Sequence, residues 1–301
     1  MTTRTATTFF SFAFLLTQAT LADLVLRLDA GGLTPGALSS WTDTSNNAFD
    51  ASQANAANQP SVVNGGAAFN NLNVVQFTGN SGANNDWLDN PSVAYDAQTV
   101  LAVFKVNTSL RSTAMLGQIW GQYGGTASAH VATDFRAGAA QDHGWSFDGD
   151  ATTSPQARFA RDGSTFVGPT SNTTALPWSD NTAHLITTEF TNAVSMTQHL
   201  LGSLAPSFNI STHAFGGEIA EILVFNNTLS SDERTGLEHL MAQRWGLTGP
   251  GAANAGQIAA ANALFPSGLY VIPEPSSLSL LGLGLLGLLG LTARRQGSSK
   301  K

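Results

Sequence analysis

The sequence feature with the most specific chemistry is a glutamate between two prolines near the C-terminus. These residues are Pro273, Glu274 and Pro275, and an uncharged Leu- and Gly-rich stretch follows them. Proline fixes φ and lacks an N–H, so the two prolines keep Glu274 extended and away from helix, which is the shape a protease cleft accepts. The tripeptide therefore predicts a cleavage segment beside an apolar one.

The apolar stretch after the tripeptide is long enough to cross a membrane. From Ser276 to Ala293 it has about 18 residues and no charge, which as a helix would span about 27 Å, near the short limit for a hydrocarbon core of roughly 30 Å. Arg294 and Arg295 follow directly, and a basic flank remains on the cytoplasmic side. We expect a transmembrane helix, and residues 296–301 to form a basic cytoplasmic tail.

This order of three parts resembles the PEP-CTERM sorting signal of Gram-negative bacteria over residues 273–295. The resemblance implies that the protein is a substrate of an exosortase, a membrane protease-transpeptidase that cuts near the tripeptide and releases or re-anchors the chain. It also implies bacteria that make exopolysaccharide. The alternative is a plain C-terminal membrane anchor with a chance Pro-Glu-Pro.

The N-terminus has the pattern of a secretory signal peptide. An apolar stretch over 9–16 follows a basic residue, and Thr20 and Ala22 place small residues at −3 and −1 before Asp23. We predict export by the Sec machinery and removal of 1–22 by signal peptidase, with a buried N-terminal strand or helix as the alternative. The protein would be anchored transiently in the inner membrane, with its C-terminus inside, and then reach the cell surface or medium.

The composition is acidic and free of cysteine. The chain has 13 lysines and arginines against 20 acidic residues, for a net charge of −7. The sequence lacks the cluster of basic residues that binds nucleic acid, so nucleic acid is not an expected partner. Its negative charge also gives no attraction to anionic lipid. An exported domain without disulfides must rest on its core alone.

One acidic run is a candidate calcium site. Asp148 and Asp150 flank a glycine shortly after Asp142, and hard carboxylate oxygens suit Ca²⁺. The rest of the EF-hand pattern is missing, and an Asx-rich hairpin turn is the preferred alternative. Calcium is therefore the only candidate cofactor, and the acidic charge is explained more simply by solubility.

Tryptophans in or beside predicted loops are candidate ligand contacts. Aromatic rings stack on the apolar faces of sugars, and the partner would be extracellular polysaccharide. The candidates are Trp87, Trp120, Trp145 and Trp178. A sandwich of this size also needs large aromatics in its core, so burial is the preferred alternative for each ring.

Signatures of catalysis are missing from the sequence. It has no Gly-x-Ser-x-Gly elbow, no His-Glu-x-x-His and no cysteine. Retaining glycosidases need two carboxylates about 5 Å apart. Glu218 and Glu221 come nearest to this, but residues three apart on a regular strand point to opposite faces. We assign no catalytic residue and favour a protein that is not an enzyme.

The elements that must position these residues are mostly short strands. Alternating or apolar runs between Gly-, Asn- and Asp-rich pieces predict one all-β domain over 23–248. The runs are 24–28, 74–77, 99–106, 130–135, 157–160, 184–191, 195–201 and 218–225. A capping box from Ser230 to Glu233 predicts one helix, which ends at Gly246.

Other stretches predict irregular structure. The Asn- and Gly-rich pieces 43–73 and 79–90 are typical of long surface loops. The Gly- and Ala-rich piece 249–272 predicts a flexible spacer before the sorting tail, in which 259–264 has the composition of a short helical turn.

The end of the predicted domain resembles LamG-like, concanavalin A-like jelly-roll domains. A final strand GEIAEILVF from Gly217, a helix start LSSDER from Leu229 and a closing WGL from Trp245 carry the resemblance. It is good over 181–248 and loose before. It implies a sandwich of two antiparallel sheets with one C-terminal helix.

Because this fold serves lectins, glucanases and adhesion domains, it does not settle function. The leading hypothesis is a non-catalytic exported module that binds glycan or another surface partner in an extracellular matrix. The alternatives are a glycan-active hydrolase or lyase with an unrecognised site, and a purely structural surface protein.

Overall fold

A computed structural model of the chain describes its β-rich body. The described residues are 23–79, 86–107, 116–122, 131–138, 141–146, 157–170, 174–175, 181–203, 214–265 and 270. Their strands are β1 (Leu24–Asp29), β2 (Gly36–Ala37), β3 (Ser40–Trp41), β4 (Ala51–Ser52), β5 (Ser61–Asn64), β6 (Asn73–Thr78), β7 (Leu88–Asn90), β8 (Tyr95–Val106), β9 (Leu116–Gln122), β10 (Val131–Gly138), β11 (Gln141–Ser146), β12 (Ala157–Arg161), β13 (Val167–Thr170), β14 (Thr174–Ala175), β15 (Ala183–Met196), β16 (His199–Leu201) and β17 (Gly216–Phe225). Two helices follow, α1 (Ser231–Trp245) and α2 (Ala255–Ala263).

The described strands form two sheets. The first runs β13-β12-β15-β8-β17-β6-β5-β2, with β1 paired to β17, and the second runs β14-β11-β10-β9-β16-β7-β4-β3. Neighbouring strands within each sheet pair antiparallel. The chain is therefore mostly β-sheet, as the sequence predicts, and its architecture is that of an all-β sandwich.

An inner core fills the space between the sheets. Val100 and Ile222 of the first sheet belong to the same apolar cluster as Trp120 and Leu201 of the second, and none of the four has exposed surface. Full burial of one such side chain stabilises the fold by about 1.5–3 kcal/mol. The alternating apolar positions that predicted strands are the positions that face this core.

A second core lies on the outer face of the first sheet, under the helices. Leu101 and Leu223 of the sheet pack with Leu237, Met241 and Trp245 of α1. All ten residues of β17 are buried because the second sheet covers one face of the strand and the helices cover the other. This explains why β17 is a nearly continuous apolar run rather than an alternating one.

Helix α1 has the ends that the sequence predicts. The Ser230 hydroxyl accepts a hydrogen bond from the Glu233 backbone N–H, and the Glu233 carboxylate accepts one from the backbone N–H of Ser230. Gly246 ends the helix in the left-handed region, with φ of 71°. A side chain with a Cβ is strained in that conformation, so glycine fits there.

The structure places a second helix within the stretch predicted as a flexible spacer, where the sequence indicated only a short helical turn over 259–264. Helix α2 begins with its own capping box between Asn254 and Gln257 and packs on α1. Leu264, Phe265 and Tyr270 are buried against the domain. A Gly- and Ala-rich composition suggested a linker, but its few large residues are spaced to cover the outer core.

The long loop predicted over 43–73 is also more structured than its composition suggested. It contains β4, β5 and two 3₁₀ turns, and β5 pairs with β6. Asp43 organises its first part, because its carboxylate accepts hydrogen bonds from the backbone of Arg27, Ser45 and Phe49.

Neither helix in the described part of the chain has the length and apolar character needed to span a membrane.

Candidate functional site

Glu218 and Glu221 lie on the same face of β17, which corrects the expectation that they point apart. Glu218 is opposite Lys105 and Glu221 is opposite Val103, with a register shift after Ile219. Lys105 and Val103 are two residues apart on β8, so their side chains share a face. A bulge places one extra residue in β17 and thereby turns the second glutamate to the side of the first.

Glu221 is the centre of a buried polar cluster. Its Oε1 accepts a hydrogen bond from Arg27 Nε at 3.1 Å, and its Oε2 accepts one from Trp245 Nε1 at 2.7 Å. The hydroxyl of Tyr270 donates to the same Oε2. Burial, and then the nearby Asp29, raise the pKa of Glu221, while two arginines oppose this shift.

Asp29 and Arg244 complete this group, which we call the Glu221 cluster: Arg27, Asp29, Glu221, Arg244, Trp245 and Tyr270. Arg244 Nη2 lies 2.7 and 2.8 Å from the two carboxylate oxygens of Asp29, and Arg27 Nη2 lies 3.3 Å from Oδ2 of Asp29. The Arg27 guanidinium also stacks 5.0 Å from the ring centre of Tyr270. Two arginines thus balance two carboxylates beneath the helices.

The Glu221 cluster holds the layers together and leaves no room for catalysis at Glu221. This carboxylate has no exposed surface, and both of its oxygens accept hydrogen bonds from protein donors. A glycosidase nucleophile must reach a sugar carbon. Glu221 is therefore covered by α1 and by Tyr270 instead of facing a substrate, and Glu218 on the same face is only 6% exposed.

A different place in the fold is concave and lined by polar side chains. An open pocket of about 470 Å³ lies where β1, β8 and the end of β17 come together. We call it the amide pocket, because four of its seven polar or aromatic lining residues are amides; the seven are Asn47, Phe49, Tyr95, Asp96, Gln98, Asn226 and Asn227. Amides both donate and accept hydrogen bonds, and Phe49 supplies an apolar ring.

The described side chains that line the amide pocket include one carboxylate and no basic group. Asp96 is exposed and accepts a hydrogen bond from the Ser195 hydroxyl at 2.6 Å. No basic residue is among the described residues that line the pocket. The two aromatic rings of the pocket pack on each other and on the core. The ring centres of Phe49 and Tyr95 are 5.1 Å apart, and the Tyr95 hydroxyl lies 3.4 Å from Nδ1 of the buried His199.

Asp23, the predicted first residue of the mature protein, is fixed beside this pocket. Its backbone N–H donates to Oδ1 of Asn226 at 2.9 Å, and Asn226 Nδ2 donates back to the Asp23 carboxylate at 3.3 Å. Strand β1 begins at the next residue. Residues 1–22, including Ala22, lie outside the described part of the chain.

The structure does not bring the predicted tryptophans together. Trp87 is half-buried beside β7, and Trp120 is fully buried in the inner core, which is the alternative weighed for it. A ring without exposed surface cannot stack on a sugar, so Trp120 is not a surface contact. Trp178 and the side chain of Trp145 lie outside the described residues.

The predicted calcium run also falls largely outside the described residues. Asp148 and Asp150 are not among them, and Asp142 is described only as part of strand β11. In the described parts of the chain, no group of three or more His, Asp or Glu side chains is placed to hold a metal ion.

Sequence reasoning missed Tyr270 and the amide pocket. An isolated tyrosine in an otherwise Gly- and Ala-rich stretch was the available signal for the first. No signal marked the pocket, because its residues come from five separate parts of the chain and only folding brings them together.

The described residues form an all-β sandwich with a helical layer. Comparison with known families identifies the C-terminal tail. Residues 271–296 match the PEP-CTERM protein-sorting motif. No curated protein and no solved structure matches the chain. The match confirms the predicted sorting signal, although Pro273, Glu274, Pro275, Arg294 and Arg295 lie outside the described residues.

The sorting motif indicates that the protein is exported and which kind of enzyme processes it. It is an exported protein that an exosortase sorts, and it is anchored transiently in a membrane before secretion. Tyr270, the last described residue, immediately precedes the motif.

Proposed function

We propose that this protein is a surface or matrix component whose body binds glycan without catalysis, through the amide pocket. The observation that carries the proposal is the lining of the pocket: amide side chains around an aromatic ring at an open end of the sandwich. Sugars present alternating hydroxyls and apolar C–H faces, which this combination of groups matches.

The body is proposed to be a concanavalin A-like jelly roll of the LamG-like type. Support comes from the strand order β15-β8-β17-β6, in which neighbours in the first sheet are distant in sequence. The placement of α1 directly after the last strand also agrees with the resemblance over 181–248.

The charge of the pocket selects the kind of glycan. Asp96 is the charged group described in its lining, and basic residues are lacking among the described lining residues. A uronic-acid polymer would bring like charge beside this carboxylate. We therefore propose a neutral polysaccharide as the ligand.

The choice of binding over hydrolysis rests on the closed environment of Glu221. Its two oxygens are occupied by Arg27 and Trp245, and it has no exposed surface. Hydrolysis would need a different carboxylate pair.

Binding of the exported protein to arrays of neutral and uronic-acid polysaccharides tests the proposal. We expect binding to neutral polymers, and a loss of about tenfold in Gln98→Ala, since one hydrogen bond to a ligand is worth roughly 1 kcal/mol or more. Gln243→Ala is the matched control, because Gln243 is an exposed amide on α1 and does not line the pocket.

Two results would contradict the proposal. One is binding to neutral polymers that Gln98→Ala and Gln243→Ala leave equally unchanged. The other is the release of reducing ends from a bound polymer, which would make the protein a hydrolase. Absence of binding to every polymer would instead support a structural surface protein.

A further inference from the structure

The folded body holds the residue next to the sorting motif. Tyr270 is only 4% exposed, and the motif begins at residue 271. Its hydroxyl donates to the buried Glu221, and its backbone N–H donates to Oδ1 of Asn262 at 2.8 Å. Its ring packs 5.2 Å from that of Phe265.

Helix α2 and the residues just after it are also packed on the domain. Helix α2 crosses α1 so closely that a Cβ on Gly236 would lie 2.0 Å from the backbone oxygen of Gln257. The side chains of Ala261 and Leu264 are buried in the outer core. We call residues 255–265 together with Tyr270 the strap, because they connect the domain to the tail while packing on it.

Few residues separate the buried Tyr270 from the tripeptide of the sorting motif. Only Val271 and Ile272 separate Tyr270 from Pro273. An extended chain advances at most about 3.6 Å per residue, so the three steps from Tyr270 to Pro273 span at most roughly 11 Å. A protease that binds several extended residues before its scissile bond then competes with the domain for Tyr270.

From this geometry we infer that Tyr270 is a latch, and that the exosortase cleaves the form in which the strap has left Glu221. The inference rests on processing by an exosortase. When a site opens and closes faster than it is cut, cleavage follows the population of the open form. Contacts that stabilise the docked strap therefore slow maturation, and contacts within the sandwich core do not affect it.

The test uses the full chain in an exosortase-containing host, with pulse-chase labelling of the long precursor and the short mature form. Tyr270→Ala should mature roughly tenfold faster, because it removes a hydrogen bond to a buried carboxylate together with the ring contacts. Tyr270→Phe should lie between, since it keeps the ring. Gly236→Ala should also accelerate maturation by forcing α2 away from α1 without changing Tyr270.

Insertion of a six-residue Gly-Ser segment between Ile272 and Pro273 tests whether Tyr270 acts through access to the cleavage segment. The insertion should accelerate maturation of the wild-type chain and abolish the difference between it and the Tyr270→Ala variant. If Tyr270→Ala acted by a route other than access to the cleavage segment, the difference would persist with the insertion, and the inference would be wrong. Unchanged or slower maturation of Tyr270→Ala without the insertion would also overturn it.

The outcomes are distinct from those of the glycan experiment. A latch effect with no glycan binding would leave the inference intact and remove the proposed function. Replacing Pro273, Glu274 and Pro275 by alanine checks that the measured maturation depends on the motif.

Discussion

The indole N–H of Trp245 donates a hydrogen bond of 2.7 Å to Oε2 of Glu221. It joins the last turn of α1 to the middle of β17, the strand that the inner and outer cores share. The bulge before Glu221 makes this contact available, because it turns the carboxylate toward the helices.

Glu221→Gln should destabilise the protein by about 3 kcal/mol. The amide cannot accept hydrogen bonds at both of its ends, and it leaves two buried arginines with one carboxylate fewer. Urea unfolding of the exported protein measures the effect. Glu218→Gln is the control on the same face, and its smaller expected loss follows from its partly exposed partner Lys105. Equal losses would argue against a special role for the cluster.

Removing the strap should destabilise the domain. A chain cut after Gly249 lacks Leu264, Phe265 and Tyr270, each of which is buried. Burial of a side chain of this kind is worth about 1.5–3 kcal/mol, so the loss relative to a chain ending at Tyr270 should be several kcal/mol. Thermal unfolding followed by circular dichroism compares the two, and equal melting temperatures would show that α2 is not part of the domain.

His199 should make stability fall in mild acid. Burial lowers its pKa to about 4, and Asp43 offsets this only in part. The unfolded chain, with a histidine pKa near 6.5, binds more protons between about pH 4 and 6.5. Stability due to His199 is therefore complete above this window and is lost as the pH falls through it.

The measurement is the free energy of unfolding at pH 7 and pH 4.5 in the wild type and in His199→Gln. The wild type should lose up to about 3 kcal/mol more than the variant over this interval. His239→Gln is the control, since His239 is a more exposed histidine that bonds the Gly251 carbonyl at 3.1 Å. Parallel losses in all three proteins would contradict the assignment.

Calcium, if it binds, should act through the acidic run from Asp142 to Asp150. Millimolar Ca²⁺ should then raise the melting temperature of the wild type by a few degrees and leave Asp148→Ala unchanged, because a ligand that binds only the folded state stabilises it. Differential scanning calorimetry gives the answer. A wild type that does not respond would make this run a plain turn.

Replacement of Pro273, Glu274 and Pro275 by three alanines should block maturation and leave membrane insertion intact. The change removes the extended segment that a protease cleft accepts but keeps the apolar stretch and its basic flank. In an exosortase-containing host, the variant should accumulate as a full-length membrane species. Variant and wild type of identical size and location would leave a simple anchor.

The sequence by itself determined the features that depend on neighbours along the chain. The sorting tail could be identified because its three parts act in linear order, and the match to residues 271–296 confirms it. Strands such as β1 and β8 follow from local apolar patterns. The limits of α1 follow from Ser230, Glu233 and Gly246, whose hydrogen bonds are made within a few residues.

Tertiary structure decided the features that join distant residues. A one-residue bulge in β17 reversed the expected direction of Glu221, because pairing with β8 sets the register. Packing on α1 made a helix and a strap from a stretch whose composition is that of a linker. The amide pocket joins Asn47 to Asn226, and Tyr270 meets Glu221 across 49 positions of the chain. Such contacts leave no periodic pattern, since each is set by the shape of the whole fold rather than by spacing along the sequence.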